Sequence, residues 1–330
     1  MHSFFKITTD ADFRAHCLET FEYQYKNVDV YRKFVDYLQI DPAGINQVEE
    51  IPFLPIEMFK KHQITDGSFT SDLYFQSSGT TQQNLSKHYI AEPALYEESI
   101  VRSFSRFLGE PSDYIFLGLL PSYLEKQHSS LIYMVNHLMN ISGKPENGYY
   151  LYNHADLFEI LNQLAAEKKR VILFGVSFAL LDFMEALPAE LPYNPELTVI
   201  ETGGMKGRKE EMTKDELLSM LQKGLGTERI FSEYSMTELL SQAYSLGGNV
   251  YQCPAWMRIL IRNTEDPFSY MPAGRNGAVN IIDLANRHSC SFIATQDLGK
   301  ITGGSGLQQE FQVMGRIDHS DIRGCSLLVS

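Results

Sequence analysis

The chain has 330 residues, 28 Lys+Arg against 41 Asp+Glu for a formal charge of −13, and is 44% hydrophobic and 21% charged. That balance belongs to a folded globular protein and argues against a disordered, collagenous or repeat-built chain. The acidity argues against a nucleic-acid scaffold held by broad phosphate contacts, while leaving room for a local pocket that takes a small anion such as a nucleotide.

At roughly 150 residues per domain, the length predicts two domains or one large one. The start, MHSFFKITTDADF, carries charge too early for a signal peptide. Residues 10–41 place Tyr23, Tyr25, Tyr31 and Phe34 at helical spacing and predict helices with a packed face. Pro52 and Pro55 break the pattern, so IPFLPIEMFKKH (51–62) is expected to be an extended loop. From about 70 to 245, the apolar runs YIFLGLL (114–120), RVILFGV (170–176), LTVIET (197–202) and ERIFSEY (228–234) predict buried strands. Helical patterns fall between or before them at 93–108, 127–140, 156–169 and 209–223. In the last, Thr213 and Glu216 have capping-box spacing and Gly224 marks the stop. This alternation predicts an α/β fold with a mostly parallel sheet flanked by helices, which binds ligands at the carboxyl ends of its strands. From about 250 the helical period disappears, and WMRILIRN, GAVNIIDL, CSFIATQDLGK and EFQVMGRID predict a β-rich region, a small barrel or sheet. The apolar runs at 114–124 and 171–184 are too short for a membrane span. Cysteines at 17, 253, 290 and 325 form no CxxC pair and no zinc spacing, which points to a reducing cytoplasm.

Five motifs could carry chemistry. Ser77-Ser78-Gly79-Thr80-Thr81, with Lys87 downstream, can turn backbone N–H and hydroxyl groups toward a phosphate, although such a run also suits a solvated loop. Gly203-Gly204-Met205 follows a strand and permits close backbone approach to a flat ligand; a plain strand-to-helix turn is the alternative. In Tyr234-Ser235-Met236-Thr237-Glu238, the tyrosine can stack on a base, and Thr237 and Glu238 can hold a phosphate and its Mg2+. The alternative there is a helix start capped by Ser235 or Thr237. Asp297 can accept ribose hydroxyls, and Arg316 can bridge ribose and phosphate. His128, near a predicted helix start, could meet the carboxylate or a phosphate, although a structural histidine is equally compatible with the pattern.

In this order the motifs resemble the adenylate-forming superfamily of acyl-CoA synthetases, luciferases and peptide-synthetase adenylation domains, over roughly 70–320. The resemblance implies that Ser77–Thr81 are the phosphate loop, 203–205 the adenine-side loop, and 234–238 the Y-G-x-T-E motif with Ser235 in place of Gly. It makes Thr237 a phosphate ligand, Glu238 the Mg2+ ligand, Asp297 the ribose carboxylate, Arg316 the arginine before the hinge, and Asp318 the hinge itself. Gln82 and Gln83 stand where the family continues with Gly and then Pro-Lys, and no lysine follows Lys300, where the relatives' lid domain would supply one. The tail from Gly315 through Cys325 to Leu327 is similar to the acyl-protein synthetase branch, whose members activate a fatty acid with ATP and carry the acyl group on a C-terminal cysteine. Cys325 holds that position, with Arg323 and His319 close enough in sequence to lower its pKa. Cys17, Cys253 and Cys290 are expected to be inert. In the wider family the segment 118–139 lines the acyl pocket.

The resemblance thus implies a helical segment at 1–69, an α/β nucleotide- and acyl-binding part at 70–248, and a β-rich part at 249–330 ending at the hinge without a lid. It implies a ligase using ATP and Mg2+ on a carboxylic, most simply fatty, acid, with an acyl-CoA-reductase-like or carrier protein as partner, and neither nucleic acid nor a membrane span involved. The alternatives are a short CoA ligase resembling phenylacetate-CoA ligases and a catalytically silent nucleotide-binding relative.

Overall fold

The computed structural model describes residues 2–69, 72–77, 85–121, 128–203 and 212–317. Helices α1 (Asp10–Asn27) and α2 (Asp29–Tyr37) open the chain, α1 behind a capping box of Thr9 and Asp12. Two contacts fix this pair to the body. Gln24 donates to the Asn286 carbonyl at 3.0 Å and accepts from Ser291 N at 3.0 Å, and buried Tyr31 donates to the Pro52 carbonyl at 2.7 Å. The expected loop at 51–62 is more ordered than its prolines predict. β1 (Leu54–Pro55) pairs in parallel with residues 293–294, and α3 (Met58–Lys61) follows. Pro55 is tolerated because this short strand lies at the margin of the sheet.

A hairpin of β2 (Tyr74–Gln76) and β3 (Lys87–Tyr89) leads into α4 (Pro93–Leu108). The alternating body then runs β4 (Ile115–Leu119), α5 (Ser130–Ser142), β5 (Gly148–Tyr150), α6 (His154–Ala166), β6 (Val171–Gly175), α7 (Ser177–Glu185), β7 (Leu197–Glu201), α8 (Lys214–Gly224) and β8 (Ile230–Tyr234). Strands β5, β4, β6, β7 and β8 lie side by side in parallel. Every residue of β4, β6 and β7 is buried, as a parallel strand covered on both faces requires. Packing there is tight enough to demand glycine: a Cβ on Gly118 would meet the Tyr149 ring at 2.6 Å. The apolar run 171–184 divides into β6 and α7, which periodicity alone does not separate because β6 is buried throughout and α7 over most of its length.

Antiparallel strands continue the sheet: β9 (Ala243–Ser245), β10 (Tyr251–Gln252), β11 (Met257–Arg262), β12 (Gly277–Asp283), β13 (Phe292–Gly303) and β14 (Glu310–Arg316). The β-rich region is therefore the far half of one 12-stranded sheet, ordered β11-β12-β13-β14-β10-β9-β8-β7-β6-β4-β5 with β1 beside β13. The α/β fold expected from the sequence is the fold observed. Among the described residues, no helix is long and apolar enough to cross a membrane.

Candidate active site

The carboxyl ends of β7 and β8 gather the motifs. Ser77 closes the stem of the hydroxyl-rich loop: its amide donates to the Ser86 carbonyl at 3.1 Å, and its hydroxyl accepts from Ser86 N at 3.1 Å. From that stem the buried Ser86 hydroxyl donates to Glu238. The glycine loop and the Tyr-Ser-Met-Thr-Glu segment thus meet at Glu238. Ser78, Gly79, Thr80 and Thr81 lie outside the described residues, as do Gly204, Met205, Asp318 and Cys325.

Residues 235–238 do not begin a helix. They form a turn in which Leu239 N donates to the Met236 carbonyl at 3.0 Å, so the helix-cap alternative does not hold. The turn is held by buried polar side chains, of which the motif reading missed Asp283 and Asn286. Asp283 accepts from Leu240 N at 2.8 Å, Ser241 N at 3.0 Å and the Ser241 hydroxyl at 2.6 Å. Asn286 donates to the Glu238 carbonyl at 2.7 Å. His88, buried under the edge of Phe59, places Nδ1 2.9 Å from the Thr237 carbonyl and Nε2 2.9 Å from Asn286 Oδ1. Burial pulls this imidazole down to about 4, against two hydrogen bonds that favour its charge. Asp283 and Asn286 close and follow a strand far downstream of His88, so only the fold brings the three together.

Burial also raises the Glu238 carboxyl, opposed by the Ser86 hydrogen bond and by the charges of Arg316 and Lys60. Among the described residues Glu238 forms no ion pair. A buried carboxylate beside the Ser86 hydroxyl is an oxygen donor set, which suits a hard divalent cation that takes its remaining ligands from phosphates and water.

At the next strand end, the Tyr234 hydroxyl donates to Asp297 at 2.7 Å, and Arg316, opposite it across β13 and β14, approaches Asp297 at 3.5 Å. Tyr234 packs against the rings of Tyr251 and Phe311 at 6.0 and 5.9 Å. The Arg316 side chain is 75% exposed and so is free to turn toward a ligand. Burial raises Asp297, while Tyr234 and Arg316 pull it back.

The segment after β7 has its own anchor. Glu201, fully buried at the end of β7, accepts from Lys214 and the Ser177 hydroxyl, and from Gly203 N at 2.7 Å. Gly203 adopts φ +78°, a conformation glycine takes without strain. Burial works against the Lys214 ammonium, but Glu201 and Tyr251 together outweigh it and lift the lysine above its ordinary value.

Two expected residues sit beside the loop stem. Lys87 lies in β3 with its ammonium 5.2 Å above the Tyr74 ring, and His128 stacks on the same ring at 4.0 Å while its carbonyl accepts from Gln76 N at 2.9 Å. His128 is exposed, precedes the Ser129 cap of α5, and has φ +69°. Both therefore border the stem of the hydroxyl-rich segment. Cys17, Cys253 and Cys290 are buried, and burial raises all three thiols, Cys290 to about 12, in keeping with inert packing.

The geometry gathers Glu238, Tyr234, Asp297, Arg316 and Glu201 in one polar region at the strand ends. Residues 8–111 match the family described as acyl-protein synthetase, LuxE. No curated protein matches the chain. Among solved structures, the chain resembles 2-hydroxyisobutyryl-CoA ligase in complex with 2-HIB-AMP and CoA at 13% identity and TM-score 0.68, covering 94% of this chain and 70% of that one. It resembles ATP-bound MatB from Rhodopseudomonas palustris at 12% identity and TM-score 0.54, over 74% of this chain and 47% of that one. The luciferase-like enzyme of the nonluminescent mealworm Zophobas morio gives 11% identity and TM-score 0.52, over 74% and 57%. The resemblance drawn from the motifs, to the adenylate-forming superfamily and its acyl-protein synthetase branch, is thereby borne out.

Proposed function

We propose that this chain activates a carboxylic acid with ATP, forming an acyl adenylate, and passes the acyl group to a thiol. The observation that carries the reading is the Ser86–Glu238 hydrogen bond, which joins two motifs 152 residues apart at one point. The match of residues 8–111 and the likeness to ligases in adenylate- and ATP-bound states support it.

A carboxylate is a poor electrophile because oxide is a bad leaving group. Attack of the carboxylate oxygen on the α-phosphorus of ATP releases pyrophosphate and leaves AMP on the acyl group. A thiolate then attacks the acyl carbon, forms the thioester and expels AMP. In this scheme the Ser77–Thr81 loop and Thr237 hold phosphates, and Glu238 with its neighbouring hydroxyls holds Mg2+, whose charge offsets that of the phosphates. Asp297 and Arg316 take the ribose side, with Tyr234 and residues 203–205 around the base. Lys87 and His128 serve the phosphate or carboxylate end. ATP–pyrophosphate exchange across short and long carboxylic acids tests the scheme. Acid-dependent exchange is expected, and exchange with no acid at all sinks it.

For the acceptor, the reading takes Cys325, by its resemblance to the acyl-protein synthetase branch, with a fatty acid as substrate and a carrier or reductase protein downstream. A reducing cytoplasm suits such a thiol. With radiolabelled acid and ATP, Cys325→Ser should lose essentially all protein-bound thioester label while keeping exchange. Undiminished label on the variant rules the cysteine out. If free CoA is acylated instead, the CoA-ligase alternative takes its place.

A further inference from the structure

Between α4 and the strands leading to the nucleotide site lie buried oxygens that no protein group satisfies. Glu233 and Tyr244 are direct partners across β8 and β9, so their side chains share one face of the sheet. Glu233 is 6% exposed and Tyr244 1%, yet Glu233 Oε1 and the Tyr244 hydroxyl have no hydrogen-bond partner. Gln242 Oε1, just before β9, and the Ser103 hydroxyl on α4 are buried and unpartnered as well. Ser103 lies one helical turn after Ser99, whose hydroxyl meets that of Ser241 at 3.1 Å, and one turn before Phe107, whose ring lies 5.6 Å from that of Tyr244. The Ser99–Ser103–Phe107 stripe of α4 therefore covers this part of the sheet.

Buried polar atoms are almost always paired, and four orphans gathered under one helix call for a partner that is not protein. Burial raises the Glu233 carboxyl to about 7 against a Ser235 hydrogen bond and the Lys214 charge, so the oxygen that Ser235 leaves unpartnered can accept a hydrogen bond or, protonated, donate one. The patch also has a telling address. Glu233 directly precedes Tyr234. Tyr96 of α4, whose hydroxyl feels the Glu233 charge, stacks at 5.6 Å on Tyr133 of α5, within the segment expected to line the acyl pocket. Through Tyr96 the orphans thus neighbour the segment expected to line the acyl pocket.

We propose that the acid this chain activates carries a hydroxyl or amino group on its acyl portion, and that Glu233, with the Tyr244 hydroxyl, receives it. The inference rests on the acid-activation reading and puts an acid that carries such a group in place of the plain fatty acid named there. A plain alkyl acid leaves these oxygens unpaired, and sites built for hydrogen bonding reject analogues that lack the group. The test is kcat/KM for ATP–pyrophosphate exchange with length-matched alkyl, hydroxy and amino acids, on the wild type, Glu233→Gln and Glu233→Leu. The wild type should favour a substituted acid by on the order of 100-fold. Glu233→Gln should keep part of that preference for a hydroxy acid and lose it for an amino acid, and Glu233→Leu should erase both. Equal exchange with plain and substituted acids overturns the proposal while leaving acid activation intact. So does a preference that survives Glu233→Leu, the result expected if only water fills the site. Exchange with no acid overturns the activation reading and this one with it.

Discussion

Glu238→Gln is expected to cut acid-dependent ATP–pyrophosphate exchange by on the order of 100-fold or more while leaving the fold intact. The two effects separate because of where Glu238 sits. Its carboxyl is buried, burial disfavours its charge, and its hydrogen bond comes from the neutral Ser86 hydroxyl. A glutamine oxygen accepts the same bond, so the packing is preserved and no buried charge is stranded. What the amide cannot do is neutralise a divalent cation, and that loss falls on the transition state of phosphoryl transfer, where charge is greatest. The loss should appear in kcat, with a raised Mg2+ requirement and a melting temperature close to that of the wild type. Ser86→Ala, which frees the carboxylate without removing its charge, should have a milder effect. Wild-type exchange by Glu238→Gln removes this residue from the metal role.

Much of this site was legible in the sequence because its motifs are local. Thr213 and Glu216 form the capping box their spacing predicts, and β4, β6 and β7 are buried along their whole length as their unbroken apolar runs predict. The order of the motifs alone assigns Glu238, Tyr234, Asp297 and Arg316 to one region. The supporting groups were not legible, because each acts across a long separation. His88 reaches Thr237 across 149 residues and Asn286 across 198, and Asp283 reaches Ser241 across 42. No periodicity or short motif encodes such pairings; they exist only once the β2–β3 hairpin packs beneath the turn. Glu233 was hidden for a related reason. In ERIFSEY it reads as one polar residue in a buried strand, and only the register against Tyr244 and the position of α4 show that its oxygen has no partner.

Lys214→Met is expected to be the most destabilising single change near the site. Glu201 has no exposure and takes its only ion pair among the described residues from Lys214. Removing one member of a buried pair strands the other charge and costs about 3–5 kcal/mol, against about 0–1 kcal/mol for an exposed pair. The Ser177 hydroxyl and Gly203 N still donate to Glu201, which softens the loss without supplying a countercharge. In a chain of this size the melting temperature should fall by on the order of 10 °C. Glu201→Gln combined with Lys214→Met leaves no stranded charge and should recover most of the stability, a coupling that a double-mutant cycle reads directly. The same pair ties the two ends of the adenine-side loop, β7 and the first residue of α8, and Gly203 is bonded to the same carboxylate. The single variant should therefore also bind ATP more weakly at temperatures where it remains folded, and the double variant should regain stability before it regains affinity. If both substitutions destabilise additively, the two side chains are not acting as a pair and the anchor assigned to this loop is wrong.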